Sequence, residues 1–239
     1  MRGALCALLF VCRAFDCVMK RITIFIGNFG SGKTELAINS ALGLRREGKR
    51  VKLVDVDIIN PYFKSSFRKG MLEKAGVQVI GPDAGALPPE VVSVFDDHSA
   101  HAVFDVGGDP VGAAVLGRYK DRFDQAAHEL EVLYVVNACR PLSDTPKRVL
   151  AMMDEIEQRS RLRINALINN TNLAAKTGAE ELIEGQEMLS GVARKRGLPI
   201  KWICGTPGVL SAFKKRAGAY EGELHPIRIY MREEWMDME

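Results

Sequence analysis

Cysteine is scarce in this chain and forms no pattern. Of the five, Cys6, Cys12 and Cys17 lie within the first 18 residues, while Cys139 and Cys204 stand alone in apolar runs. With no CxxC pair and no Cys/His cluster at ligand spacing, a disulfide scaffold and a structural zinc site are excluded, and a reducing cytosol is the expected compartment. Long hydrophobic runs are missing too. The stretch at 4–12, after Arg2, is too short to span a bilayer and lacks a small-residue cleavage site. Residues 1–18 are therefore expected to be an N-terminal extension, with Met19 a natural start for the apolar segment after it. No block of like charge occurs, and 33 basic against 30 acidic residues leave a net charge of only +3. That argues against nucleic acid as the partner. The closing "MREEWMDME" is short and acidic, which argues against an anionic membrane surface. Internal repeats and low-complexity linkers are also lacking, so 19–239 is expected to be one domain.

What is present is alternation. Short runs rich in Val and Ile at 21–26, 50–56, 77–80, 101–106, 131–137, 164–170 and 200–205 are separated by helix-length segments. This predicts an α/β fold: a doubly wound, mostly parallel sheet of seven or eight strands with helices on both faces. "PIRIY" at 226–230 is expected to add the last strand. Leu36, Ala37, Ala41 and Leu44 give one helix an apolar face that stops at Gly48, and Leu150, Met153 and Ile156 give another. A further helix is expected from about Pro88.

The first strand runs into "GNFGSGKT", residues 27–34, a G-x-x-x-x-G-K-[ST] loop followed by an amphipathic helix. Glycines let the backbone curl so that successive N–H groups face phosphates, and the helix adds its positive end. Gly27, Asn28, Phe29, Gly30, Ser31, Gly32, Lys33 and Thr34, with Glu35 after them, are the candidate nucleotide contacts. Lys33 is expected to reach the β- and γ-phosphates and Thr34 to ligate Mg²⁺.

Three further stretches belong with this loop. In "HAVFDVGGDP" four mostly apolar positions deliver Asp105 to a strand's C-terminal edge, as a Mg²⁺ carboxylate. Gly108 closes a D-x-x-G whose amide could sense the γ-phosphate, and its glycine pair would let the segment move. In "LVDVDIINPYFKSSFR" (53–68), Asp55 and Asp57 lie two apart and point the same way on an extended strand end. Asp55 is the candidate to support Mg²⁺ and Asp57 to position the attacking water, with Asn60, Pro61, Lys64 and Arg68 in a switch-type loop. In "ALINNTNL" (166–173), Asn170 and Asn172 stand where a guanine-reading site has a lysine and an aspartate. A neutral amide cannot accept both guanine donors in the same charge-assisted way, so ATP is expected, with Asn170 its base contact.

Together these motifs resemble the ParA/MinD/CobQ/CobB type (the SIMIBI class) of P-loop proteins, from about residue 20 to 205. More narrowly they resemble an uncharacterised group of bacterial and archaeal cytosolic ATP-binding proteins. The resemblance implies Mg-ATP binding and slow hydrolysis as a switch on a protein partner, with a homodimer possible. One position departs from the type: Asn28 stands where ParA and MinD carry a second lysine that bridges a nucleotide-sandwich dimer, so that bridge is not carried over. Two alternatives remain. One is an ATP-dependent kinase or ligase of the CobQ/CobB and dethiobiotin synthetase kind, with Lys64, Arg68, Arg118 and Arg140 lining a substrate pocket. The other is a module that binds ATP without hydrolysing it.

Overall fold

The computed structural model describes residues 19–57, 68–82 and 88–231. Its frame is a single eight-stranded sheet: β1 (Ile22–Ile26), β2 (Arg50–Asp55), β3 (Val77–Ile80), β4 (Ala100–Asp105), β5 (Leu130–Val136), β6 (Ala166–Asn169), β7 (Ile200–Gly205) and β8 (Glu223–Pro226). The strands lie in the order β3-β2-β4-β1-β5-β6-β7-β8, and every pairing is parallel. Parallel neighbours need crossovers, and the intervening helices are α1 (Lys33–Arg46), α2 (Lys69–Lys74), α3 (Ser93–Asp96), α4 (Pro110–Ala114), α5 (Lys120–Gln125), α6 (Pro146–Ser160), α7 (Ala179–Arg196) and α8 (Pro207–Arg216).

Both faces of the sheet are buried, which is why its strands read as nearly unbroken apolar runs. Ile22, Ile24, Ile26, Val54, Phe104, Val132 and Tyr134 face one core, with Phe123 of α5 and Val149, Met153 and Ile156 of α6. Phe25, Leu53, Val103, Leu133 and Val135, one residue out of step, face the other, with Leu36, Ala37, Ala41 and Leu44 of α1. Each fully buried aliphatic or aromatic side chain contributes about 1.5–3 kcal/mol. The strand alternation therefore fixes which carboxylates rise on which side. Asp55 and Asp105 share the parity of Leu53 and Val103, so they emerge on the face that α1 covers.

The expected sheet and helices are present, with shifts that have local causes. The sixth strand begins at Ala166 rather than 164. Glu157 Oε1 takes the amide of Ile164 (2.9 Å) and Asn165 Oδ1 takes that of Val132 (2.6 Å), so side chains fill two places of the ladder there, while Asn165 N still donates to Val132 O (2.9 Å). The helix expected from Pro88 is a 3₁₀ turn, Pro89–Val91, followed by the four-residue α3. The last strand lies at Glu223–Pro226, not at 226–230. The 227–231 stretch instead runs as a strap over α1, with Ile227 buried in the second core and Tyr230 and Met231 packed on it. Its backbone is held by α1 side chains: Asn39 Oδ1 accepts from Arg228 N (2.8 Å), Asn39 Nδ2 donates to Arg228 O (2.7 Å), and Glu35 accepts from the amides of Tyr230 and Met231. Residues 1–18 and the switch-type residues Asn60, Pro61 and Lys64 lie outside the described residues.

Candidate functional site

The winding of the sheet reverses at β1, so the loops leaving β4 and β5 diverge on either side of the loop leaving β1 at the C-terminal edge. Open α/β sheets form their ligand crevice at this kind of point. Residues 27–34 connect β1 to α1 there, with Gly27, Gly30 and Gly32 at φ of 149°, 72° and 89°, values that side chains other than glycine adopt only under strain. The neighbours are equally tight. A Cβ on Gly27 would lie 2.4 Å from Val135 O, and one on Gly32 would lie 2.2 Å from Asn170 Nδ2.

Lys33 opens α1 with its side chain folded inward, 6% exposed, and its Nζ donates to Asn28 O at 3.0 Å. Burial pulls its pKa down to about 8, although Asp105, Asp57 and Asp109 oppose that shift by favouring the ammonium. Asp105 is 1% exposed and lies between Asp55 on β2 and Phe25 on β1 in the strand register. Burial first, and then the adjacent Asp55, hold its carboxyl well above the usual carboxylate range, while Lys33 and a hydrogen bond from the Thr34 side chain act the other way. Asp105 Oδ2 and Ser31 Oγ are buried with no hydrogen-bond partner among the described residues. Asp55 Oδ1 accepts from Asp57 N (3.1 Å), which folds the chain after β2 so that the Asp57 carboxylate packs beside Gly107.

After β4, Gly107 and Gly108 run against the loop. A Cβ on Gly108 would sit 2.6 Å from Phe29 Cα and 3.1 Å from Lys33 Nζ, so only glycine permits this approach. Asp109 then caps α4 by accepting from Gly112 N (2.5 Å), with Pro110 in the first turn. Sequence reading missed Asp109, although an aspartate ahead of proline at a strand exit is a helix-start signal.

The structure thus brings Lys33, Thr34, Asp55, Asp57, Asp105 and Gly108 together, and it assigns other contacts to three of the proposed nucleotide ligands. Asn28 is 5% exposed. Its Nδ2 donates to Pro141 O (3.1 Å) and Ser143 Oγ (3.0 Å), and its Oδ1 accepts from Phe29 N (2.7 Å), tying the loop to the segment after β5. Glu35 carries the strap on its carboxylate, and burial raises its pKa. Asn170, expected at a base, donates through Nδ2 to Ser31 O at 2.7 Å and so braces the loop. Asn172 closes a turn on itself, donating to Asn170 O (2.7 Å) and accepting from Ala174 N (3.3 Å). Phe29 is 62% exposed at the loop's rim.

Of the four cations expected around a substrate pocket, the three among the described residues do not converge. Lys64 lies outside the described residues. Arg68 Nε donates to Tyr230 O (2.7 Å) in the strap. Arg118 follows Gly117, which packs on the carbonyls of Arg159 and Ser160 at the C-terminal end of α6, away from the crevice. Of the described three, Arg140 alone lies against the loop, across Gly30. Among the described residues no group of three or more His, Cys, Asp or Glu is arranged to hold a metal by itself, and no helix is long and apolar enough to cross a membrane.

No protein-family model matches the sequence and no curated protein matches it. Solved structures do. The cell division protein FtsY from Thermotoga maritima superimposes with a TM-score of 0.57 at 18% identity, covering 79% of this chain and 64% of that one. FtsY from Mycoplasma mycoides gives 0.51 at 16% identity, covering 75% of this chain and 58% of that one. The chain thus spans less than two thirds of the length of these relatives. At such identities the likeness shows the fold alone: an α/β P-loop NTPase sheet.

Proposed function

We propose that this protein binds Mg-ATP at the 27–34 loop and hydrolyses it slowly, as a nucleotide-dependent switch acting on a protein partner in the cytoplasm. The observation that carries the reading is the buried charge cluster. A desolvated ammonium (Lys33) faces three carboxylates, and one of these, Asp105, takes the Thr34 hydroxyl while its other oxygen stays without a partner among the described residues. Buried charge so incompletely satisfied is costly unless a ligand completes it. A triphosphate would take Lys33 and the loop amides. A Mg²⁺ ion suits the donors on hand, because it binds through one or two protein oxygens and otherwise keeps waters and phosphates. Thr34 and Asp105, with Asp55 behind them, are the residues that would hold it, and bound there it would neutralise charge developing on the β- and γ-phosphates. Asp57, beside Gly107, is placed to orient a water. Gly108 is where loss of the γ-phosphate would be felt, since its backbone already touches Phe29 and lies close to Lys33 Nζ.

ATP is favoured over GTP because residues 170–179 contain no carboxylate to accept the two guanine donors, and Asn172 is occupied within its own turn. The test is thermal denaturation of the purified protein with Mg-ATP or Mg-GTP, alongside phosphate release. ATP at a hundred times its dissociation constant should stabilise the fold by about 2.7 kcal/mol. Greater stabilisation by GTP would overturn the base assignment. Stabilisation by ATP without phosphate release would reduce the protein to a binding module.

A further inference from the structure

Arg140 stands out among the exposed cations because its position is built. The chain leaving β5 makes two consecutive turns, Arg140 N to Asn137 O and Ser143 N to Arg140 O, both 3.1 Å. Leu142 takes a left-handed conformation within the second, at φ 68°. The Asn28 side chain clamps this segment to the phosphate loop through Pro141 O and the buried Ser143 hydroxyl. Arg140 is thereby laid across Gly30, where a Cβ would meet its Nε at 3.3 Å, Cδ at 3.5 Å and Cγ at 3.7 Å. Its guanidinium makes no hydrogen bond or ion pair among the described residues. Ordering an arginine stem costs on the order of 2 kcal/mol of rotamer entropy, and nothing in the described protein takes up its charge.

From this geometry we infer that Arg140 is a second phosphate-binding cation of the site, reaching the triphosphate from the β5 flank while Gly108 approaches from the β4 flank. The inference rests on the nucleotide-binding reading above. Lys33 supplies a buried point charge from within the loop. Arg140 supplies a planar fork at its rim, suited to two phosphate oxygens. Asn28 then serves this cation by holding the Arg140–Ser143 turn on the loop, and the site draws its second positive charge from the same chain rather than from a lysine at position 28.

The test is titration of the wild type, Arg140→Ala, Arg140→Lys and Asn28→Ala with a fluorescent ATP analogue and Mg²⁺, at low and at moderate salt. Loss of charge-assisted hydrogen bonds predicts about tenfold to hundredfold weaker binding for Arg140→Ala. Arg140→Lys should recover part of that loss, more at low salt, and Asn28→Ala should fall between them. The melting temperature without nucleotide should be close to that of the wild type for Arg140→Ala, since the guanidinium makes no hydrogen bond or ion pair among the described residues. Unchanged affinity in Arg140→Ala, with a wild type that binds, would overturn the role of Arg140 and leave the nucleotide reading standing. A wild type that binds no nucleotide would overturn both.

Discussion

Asn170 Nδ2 donates to Ser31 O at 2.7 Å, joining residues 139 positions apart and pressing β6's exit loop against the phosphate loop beside Gly32. The amide stands at the sheet edge as a base-reading residue would, yet its donor is committed to the loop's own backbone. Asn170→Ala should therefore cost about 1 kcal/mol of stability and weaken Mg-ATP and Mg-GTP to a similar degree, because a loosened loop serves neither. Parallel titrations with the two nucleotides check this. A change confined to one of them would restore Asn170 to the base.

Gly108 and Gly70 make a matched pair of glycines. A methyl group on Gly108 would meet the Phe29 backbone at 2.6 Å, a contact that only a shift of the loop can relieve, whereas nothing lies within 4 Å of one on Gly70, an exposed position of α2. Gly108→Ala is expected to abolish nucleotide-dependent stabilisation. Gly70→Ala should raise stability by roughly 0.5–1 kcal/mol through helix propensity. Urea denaturation of both variants, with and without Mg-ATP, measures the contrast.

Lys33 should separate function from stability. Its ammonium is desolvated, with a pKa drawn down to about 8, so removing it relieves a cost that burial imposes on the apo protein. Lys33→Met should keep an apo melting temperature near that of the wild type and lose stabilisation by Mg-ATP entirely. If Mg-ATP stabilises the variant as it does the wild type, the nucleotide binds elsewhere.

A pH effect follows from His225, which stacks on Trp202 with centroids 4.2 Å apart and planes 13° from parallel. Burial lowers its pKa from the ordinary 6.5, opposed by Glu223 and reinforced by Lys201. As pH falls through about 6.5, the unfolded chain takes up a proton at this position before the folded one does, so stability declines with acidification. His225→Phe should flatten that part of the decline. Comparing urea midpoints at about pH 7.5 and about pH 5.5 for the two proteins gives the difference directly, and equal slopes would refute the assignment.

The sheet was legible because both its faces are buried: strands such as Ile22–Ile26 and Leu130–Val136 are too apolar to be mistaken, and the GNFGSGKT loop fixed the first crossover. The carboxylates were legible by parity, since Asp55 and Asp105 follow the alternation of their strands to the same face. Side-chain hydrogen bonds were not. Nothing in "INNTN" says whether an asparagine points toward a base or toward Ser31, and nothing in "KTE" says that Glu35 turns to the amides of Tyr230 and Met231. The same blindness misplaced the last strand. "PIRIY" is apolar enough to be one, but it meets β7 just at Pro226 and the Ile227 amide, and the backbone beyond bonds with Glu35 and Asn39.

The position of β1 has a consequence for how the protein is made. The phosphate loop precedes most of its partners in the chain: β1 hydrogen-bonds to β4 and β5, and Thr23 bonds across 108 residues to Glu131. The loop's brace at Asn170 is synthesised later still, and the strap over α1 after that. A chain cut short before β4 therefore carries the complete GNFGSGKT loop without its flanking strands and without Asp105 in place. Such long-range pairing folds slowly. On the reading proposed above, ligand-assisted stabilisation would reach only chains in which β4, β5 and the Asn170 brace are already in place.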